Sequence, residues 1–155
     1  MSKFIIKRDD LTSTQVIELL EEHLADMQAT SPPESKHALD IEALRAPHIK
    51  FWTLWDGNTI AGCGAYQSLD DKHAEIKSMR TAKNYKKQGV ASLVLQHIIT
   101  DAKVDGYQQL SLETGAMDYF MPARKMYEKF GFDYCLPFAD YIEDENSKFM
   151  TLHLN

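Results

Sequence analysis

Apolar positions along the chain change period from one stretch to the next, and the changes mark out its elements. Phe4 to Arg8 reads as a first strand. Val16, Ile17, Leu20, Leu24 and Met27 then recur at helical spacing, behind a cap at Thr12 or Ser13. Ser31-Pro32-Pro33 ends that helix, because proline cannot continue it and restricts the residue before. A second helix is expected over Ser35 to Leu44, with Ala38, Leu39, Ile41 and Leu44 as its apolar positions. After Pro47 the period shortens. Ile49 to Trp55, the turn Asp56-Gly57-Asn58 and Thr59 to Ser68 form a hairpin pattern, and a turn at 69–72 leads into a strand from Ala74 to Arg80. This meander is expected at the centre of a sheet.

Helical spacing returns from Gly89 to Asp105, where Val90, Leu93, Val94, His97, Ile98 and Ala102 mark a buried face and Gly106 suits a left-handed terminus. A buried strand over Gln109 to Glu113 follows, then a helix over Pro122 to Phe130 closed by Gly131. Strands near Phe132 to Leu136 and Lys148 to Leu154 complete the pattern. The order is mixed α/β rather than regularly alternating. Gly62-Cys63-Gly64 fits a bulge or close packing better than a phosphate cradle.

Totals narrow the function classes. The 155 residues suit one domain, read as residues 1–155, with 44% hydrophobic and 26% charged residues. A net charge of −6 argues against nucleic acid as a partner. No apolar run approaches the roughly 20 residues that span a bilayer, and the polar start is unlike a signal peptide, so a cytoplasmic protein with no membrane partner is expected. Cys63 and Cys135 read as buried thiols in strands, and the six histidines show no metal-ligand spacing.

Chemistry enters at Lys86-Lys87-Gln88-Gly89-Val90-Ala91-Ser92, which joins a strand to the long helix. Gly89 and Ala91 leave the backbone open, so amides of the first helical turn can point at an anion, with Lys86 and Lys87 beside it. A plain helix start on a basic loop carries the same residues. The stretch matches neither a Walker loop nor a dinucleotide fingerprint.

Lys86-x-x-Gly89-x-Ala91 resembles the Arg/Gln-x-x-Gly-x-Gly/Ala signature of the GNAT superfamily of acyl-CoA N-acyltransferases, with lysine in the first place. A second block, Ala123-Arg124-Lys125-Met126-Tyr127-Glu128-Lys129-Phe130-Gly131-Phe132, resembles that superfamily's Ala-x-x-Leu-Tyr-x-x-x-Gly-Phe helix and turn. The element order matches across essentially the whole chain. The resemblance implies a mixed, mostly antiparallel sheet of about seven strands flanked by about four helices. It implies acetyl-CoA as co-substrate, with no metal. Met79, Arg80 and Thr81 would lie on a strand splayed for the pantetheine arm, and Gln88, Gly89, Val90, Ala91 and Ser92 would present amides to the pyrophosphate. Members often carry asparagine three places before the alanine of the second block. Phe120 stands there, so that polar contact is missing or comes from elsewhere.

Acyl transfer to an amine needs a base, since an amine with a pKa near 10 is about a thousandfold protonated at neutral pH. The resemblance assigns that base to Glu75, fourteen positions before Gly89. Glu113 is the competitor, and a simple pair of Glu75 with Lys77 on the same strand face is the bland alternative. Tyr127 takes the place of the superfamily's tyrosine beside the cofactor sulfur, where a phenol can protonate the leaving thiolate; an aromatic packing role is the alternative. A backbone amide near Met79 or Arg80 would polarise the carbonyl, and transfer would be direct.

Ser35, His37, Lys77 and Glu113 are the candidate acceptor contacts, with Arg45 near the mouth and Phe138 to Tyr141 closing the other side. Ser35 is equally a natural helix cap. Glu75, Lys77, His37 and Arg45 together suit a small primary amine of amino-acid-like character. The runs 32–39, 76–80 and 112–115 resemble a bacterial subgroup of small GNAT proteins without a common substrate. An acyl-CoA-binding domain without catalysis is the reading from another class. The oligomeric state is open, with homodimers frequent in the superfamily.

Overall fold

The computed structural model describes residues 3–30 and 41–154, without side chains at 28–30. Ser35, His37 and the expected stop at Ser31-Pro32-Pro33 lie outside the described residues. The strands are β1 (Phe4–Arg8), β2 (Ile49–Asp56), β3 (Thr59–Ser68), β4 (His73–Thr81), β5 (Gln109–Gly115), β6 (Asp133–Tyr134) and β7 (Ser147–His153). The helices are α1 (Thr14–Thr30), α2 (Ile41–Leu44), α3 (Val90–Val104) and α4 (Met121–Lys129). The strands form one seven-stranded sheet in the order β1-β2-β3-β4-β5-β7-β6. Only β4 and β5 run parallel; the other neighbours are antiparallel. This is the mixed, mostly antiparallel architecture that the family resemblance implied.

Each sheet face carries its own core. On one, α3 and α4 pack Val90, Val94, Leu95, Ile98, Ala102 and Tyr127 against Trp52, Leu54, Ala61, Ile76 and Leu112. On the other, Leu11 and the α1 residues Val16, Leu19 and Leu20 pack with Leu44 against Ile49, Phe51, Ile60, Cys63 and Ala65. Ser13 caps α1, where its Oγ accepts from the Val16 amide at 3.3 Å.

Several expectations shift. Leu93 is exposed, while Leu95 and Ile99 are buried, so the apolar stripe of α3 sits about one residue further round than the sequence suggested. His97 packs edge-on to Trp52 at 5.2 Å. The strand expected over Phe132 to Leu136 contracts to Asp133–Tyr134, and Cys135 is only partly buried beyond it.

Glycines let α3 approach the sheet. A Cβ at Gly62 would stand 2.5 Å from Val90 Cγ1 and 2.9 Å from the Arg80 carbonyl. One at Gly64 would stand 2.6 Å from both Met79 Sδ and Val94 Cγ1. The Gly62-Cys63-Gly64 run is thus a close-packing device. Gly62→Ala should lower stability by about 1–3 kcal/mol, because a β-branched side chain and a strand carbonyl must both yield. A urea titration showing an unchanged midpoint would contradict this account.

Candidate active site

The loop after β4 is set up by backbone conformation. Lys87 has φ +63° and Gly89 φ +81°, both left-handed. Gly89 is the N-cap of α3 and offers no side-chain cap. The first intrahelical bond runs from the Leu93 amide to the Gly89 carbonyl, so the amides of Val90, Ala91 and Ser92 have no partner inside the helix. Left-handed residues before a helix start make an anion-binding concavity. Lys86, Lys87, Gly89, Val90, Ala91 and Ser92 all line one cavity of about 530 Å³. Gln88 does not; its side chain donates to the Asn84 carbonyl at 3.2 Å.

That cavity exists because β4 and β5 part. They pair only at His73↔Gln109, Ala74↔Leu110 and Glu75↔Ser111. Beyond that point Ile76 to Thr81 and Leu112 to Gly115 form facing walls of a cleft. On its other edge β4 slips against β3, where the register passes from Ala65↔Lys77 to Cys63↔Arg80. The extra residue is accommodated at Ser78, whose φ of +58° is uncommon for a residue with a side chain. Cys63 Sγ donates to the Ser78 carbonyl at 3.3 Å. The bulge also resets side-chain alternation. Ile76 and Met79 pack toward α3, whereas Glu75, Lys77 and then Arg80 face the α1 side.

Glu75 is 2% exposed and central to a polar cluster. Gln67 Nε2 donates to its Oε1 at 2.9 Å, while the Tyr141 hydroxyl donates to Oε2 at 2.5 Å. Lys77 Nζ lies 3.4 Å from the same Oε2 and 3.0 Å from the Tyr141 oxygen. The Glu75–Lys77 pair expected as the bland alternative is therefore present. A carboxylate accepts about four hydrogen bonds, so these three leave room for one from the cavity. Burial, then the Glu75 charge, pushes the Tyr141 phenol well above its ordinary pKa and keeps it a donor. Glu113 also lines the cavity and accepts from Ser147 Oγ at 2.7 Å.

Tyr127 enters from the opposite face of the sheet. It is buried on α4, packs edge-on to Phe132 at 5.6 Å and lines the cavity. Among the described residues its hydroxyl has no hydrogen-bond partner. Burial raises its pKa, so it holds its proton. Burial likewise pushes the Cys63 thiol up to about 12, which rules against a thiolate nucleophile there.

The remaining wall belongs to α1, where His23, Asp26 and Met27 project one stripe into the cavity at spacings of three and four residues. Arg80 reaches this wall and pairs with Glu22 at 2.5 Å and Asp26 at 2.6 Å. Burial, and then the Arg80 charge, lowers the His23 pKa from 6.5 to about 4, against the opposing pull of Asp26. Arg45, expected near the mouth, instead bonds Glu42 and the Leu11 carbonyl and does not line the cavity.

A cleft between parted parallel strands, ending at unpaired helix amides and two lysines, fits a long thioester cofactor with a pyrophosphate. The comparisons agree. The model of the acetyltransferase (GNAT) family matches residues 16–132. The chain belongs to the GNAT acetyltransferase family. The Bacillus subtilis protein YsnE, described as an uncharacterized N-acetyltransferase, is 60% identical across 96% of this chain and 99% of its own length. An IAA acetyltransferase of Azospirillum brasilense is 33% identical across 88% of this chain and 86% of its own. A GNAT acetyltransferase of Elizabethkingia anophelis, solved with acetyl-CoA bound, shares the fold at TM-score 0.70 and 19% identity, covering 99% and 100% of the two chains. The chain is an N-acetyltransferase of this family.

The structure thus brings Glu75, Lys77, Met79, Arg80, Thr81, Glu113 and Tyr127 to the same cavity as the loop of Lys86, Lys87 and Gly89. Gln67, Tyr141 and His23 were not assigned roles beside Glu75, and only Tyr141 had a sequence signal, as part of a closing segment. Among the described residues no group of three or more His, Cys, Asp or Glu could hold a metal ion, and no helix is long and apolar enough to cross a membrane.

His23 gives a pH prediction. Its folded-state pKa lies below the unfolded value, so the unfolded chain binds the proton first as pH falls from 6.5 towards 4. Stability is therefore lost across that window. His73, whose pKa burial also lowers, adds a loss of the same sign. His23→Gln should flatten the fall in unfolding free energy between pH 7 and pH 4.5. A variant with the parent's slope would show that His23 does not contribute.

Proposed function

We propose that the chain transfers the acetyl group of acetyl-CoA directly to the primary amine of a small molecule, with Glu75 as base and Tyr127 as acid. One observation carries this: the two side chains reach a single cleft from opposite faces of the sheet, between strands that have stopped pairing. In this reading the amides of Gln88 to Ser92, with Lys86 and Lys87, hold the pyrophosphate. Met79, Arg80 and Thr81 offer free backbone groups to the pantetheine amides. An amide of the bulged segment at Met79 or Arg80 polarises the thioester carbonyl.

The protons balance. The amine nitrogen bonds to the carbonyl carbon and gives up a proton, which Glu75 takes directly or through a water. The carbon–sulfur bond breaks and Tyr127 donates its proton to the sulfur. Glu113 is the alternative base, further along β5. Glu75, Glu113 and Asp26 together favour a cationic or zwitterionic acceptor, and Lys77 supports an amino-acid-like one. Ser35 and His37 are retained as acceptor contacts by the sequence argument alone.

Release of free CoA, measured against amino acids, polyamines and, because of the Azospirillum relative, IAA, tests the assignment. Tight acetyl-CoA binding with no release from any acceptor would instead make this a binding domain. Tyr127→Phe should lower kcat by about 100-fold or more while leaving the KM for acetyl-CoA near the parent's. An unchanged kcat would remove the acid role. Glu75→Gln should lower kcat at neutral pH and move activity toward higher pH, where the free amine is more abundant; an unaltered pH–rate profile would move the base to Glu113.

A further inference from the structure

We propose that Tyr119, backed by Phe120, forms an aromatic shelf on which the adenine base of the cofactor stacks. The inference rests on the phosphate loop holding the pyrophosphate. Because β4 and β5 are parallel, the phosphate loop after β4 and the segment after β5 emerge at the same end of the cleft. In coenzyme A the pyrophosphate lies between the pantetheine arm and the adenosine. With the arm in the cleft and the pyrophosphate on the loop, the adenosine is directed outward, where the segment 117–122 forms the other lip.

That lip is unusually apolar for a surface turn. Met117, Tyr119 and Met121 are 39%, 48% and 40% exposed, three large apolar side chains within five residues. Tyr119 and Phe120 both line the cavity and meet edge to face at 5.0 Å, which leaves a face of Tyr119 open. The shelf is rigidly mounted. A Cβ at Gly115 would overlap three atoms of the Phe120 ring, so the glycine at the end of β5 seats that ring against the strand. Arg124, nearly buried, donates to the Gly115 carbonyl at 2.6 Å and the Met117 carbonyl at 3.0 Å, fixing the turn to α4. Stacking needs only the π-face that a purine supplies.

Calorimetric titration with two ligands tests the shelf without any acceptor: CoA, and 4′-phosphopantetheine, which lacks the adenosine. Tyr119→Ala should weaken CoA about tenfold and leave 4′-phosphopantetheine unchanged, while Tyr119→Phe should keep the parent affinity for both. Equal losses for both ligands, or no loss for CoA, would overturn the shelf. Parent protein that binds neither ligand would overturn the cofactor site itself, a result distinct from tight CoA binding indifferent to Tyr119. Tyr119 is half exposed, so the alanine variant should keep the parent's melting temperature.

Discussion

Everything at the cleft follows from one backbone irregularity on β4. A strand in regular register would pair with both neighbours to its end and would send alternate side chains to alternate faces. The left-handed turn at Ser78 breaks the alternation, and β4 has already stopped pairing with β5 after Glu75. The turn shifts the register against β3 by one residue and puts Arg80 on the face of Glu75 and Lys77. Gly64 opposite the bulge gives room for Met79 beneath α3, so the irregularity is packed rather than loose. Strain of this kind persists only where the surroundings over-determine it. Here Cys63, Gly64 and α3 do so.

The same face solves a charge problem. Glu75 and Arg80 are both buried, and an unpaired buried ion costs several kcal/mol. Glu75 is matched by Lys77 and by donors from Gln67 and Tyr141, and Arg80 by two carboxylates of α1. Surrounded in this way, Glu75 is held in one orientation towards the cavity. The opposite face is apolar and presents Tyr127 with its proton retained. A paired carboxylate and a protonated phenol thus sit in contrasting surroundings on either side of one gap.

The fold was largely legible because most elements carry strong local signals. The hairpin turn at Asp56-Gly57-Asn58, the period of α3 and the closing glycines Gly106 and Gly131 all act within a few residues. The open helix start was legible for the same reason, with Gly89 and two lysines just before it. What escaped was set by distance. Tyr141 meets Glu75 across 66 positions and Arg80 meets Glu22 across 58, and no periodicity encodes either pair. The bulge at Ser78 carries no glycine, so nothing in the sequence marked it. Leu93 was misplaced because the buried stripe of α3 is rotated towards Leu95 and Ile99, away from Leu93 and His97.

The three residue pairs that join β4 to β5 have a mechanical meaning as well. They are the whole ladder between two leaves of sheet, β1 to β4 on one side and β5 to β7 on the other. A ligand whose amides bond along the open edge completes the missing rungs and ties the leaves together. Any molecule that binds only the folded form also stabilises it, by about 2.7 kcal/mol at a hundred times its dissociation constant. A ligand bound in that way would be a structural member of the sheet as well as its guest.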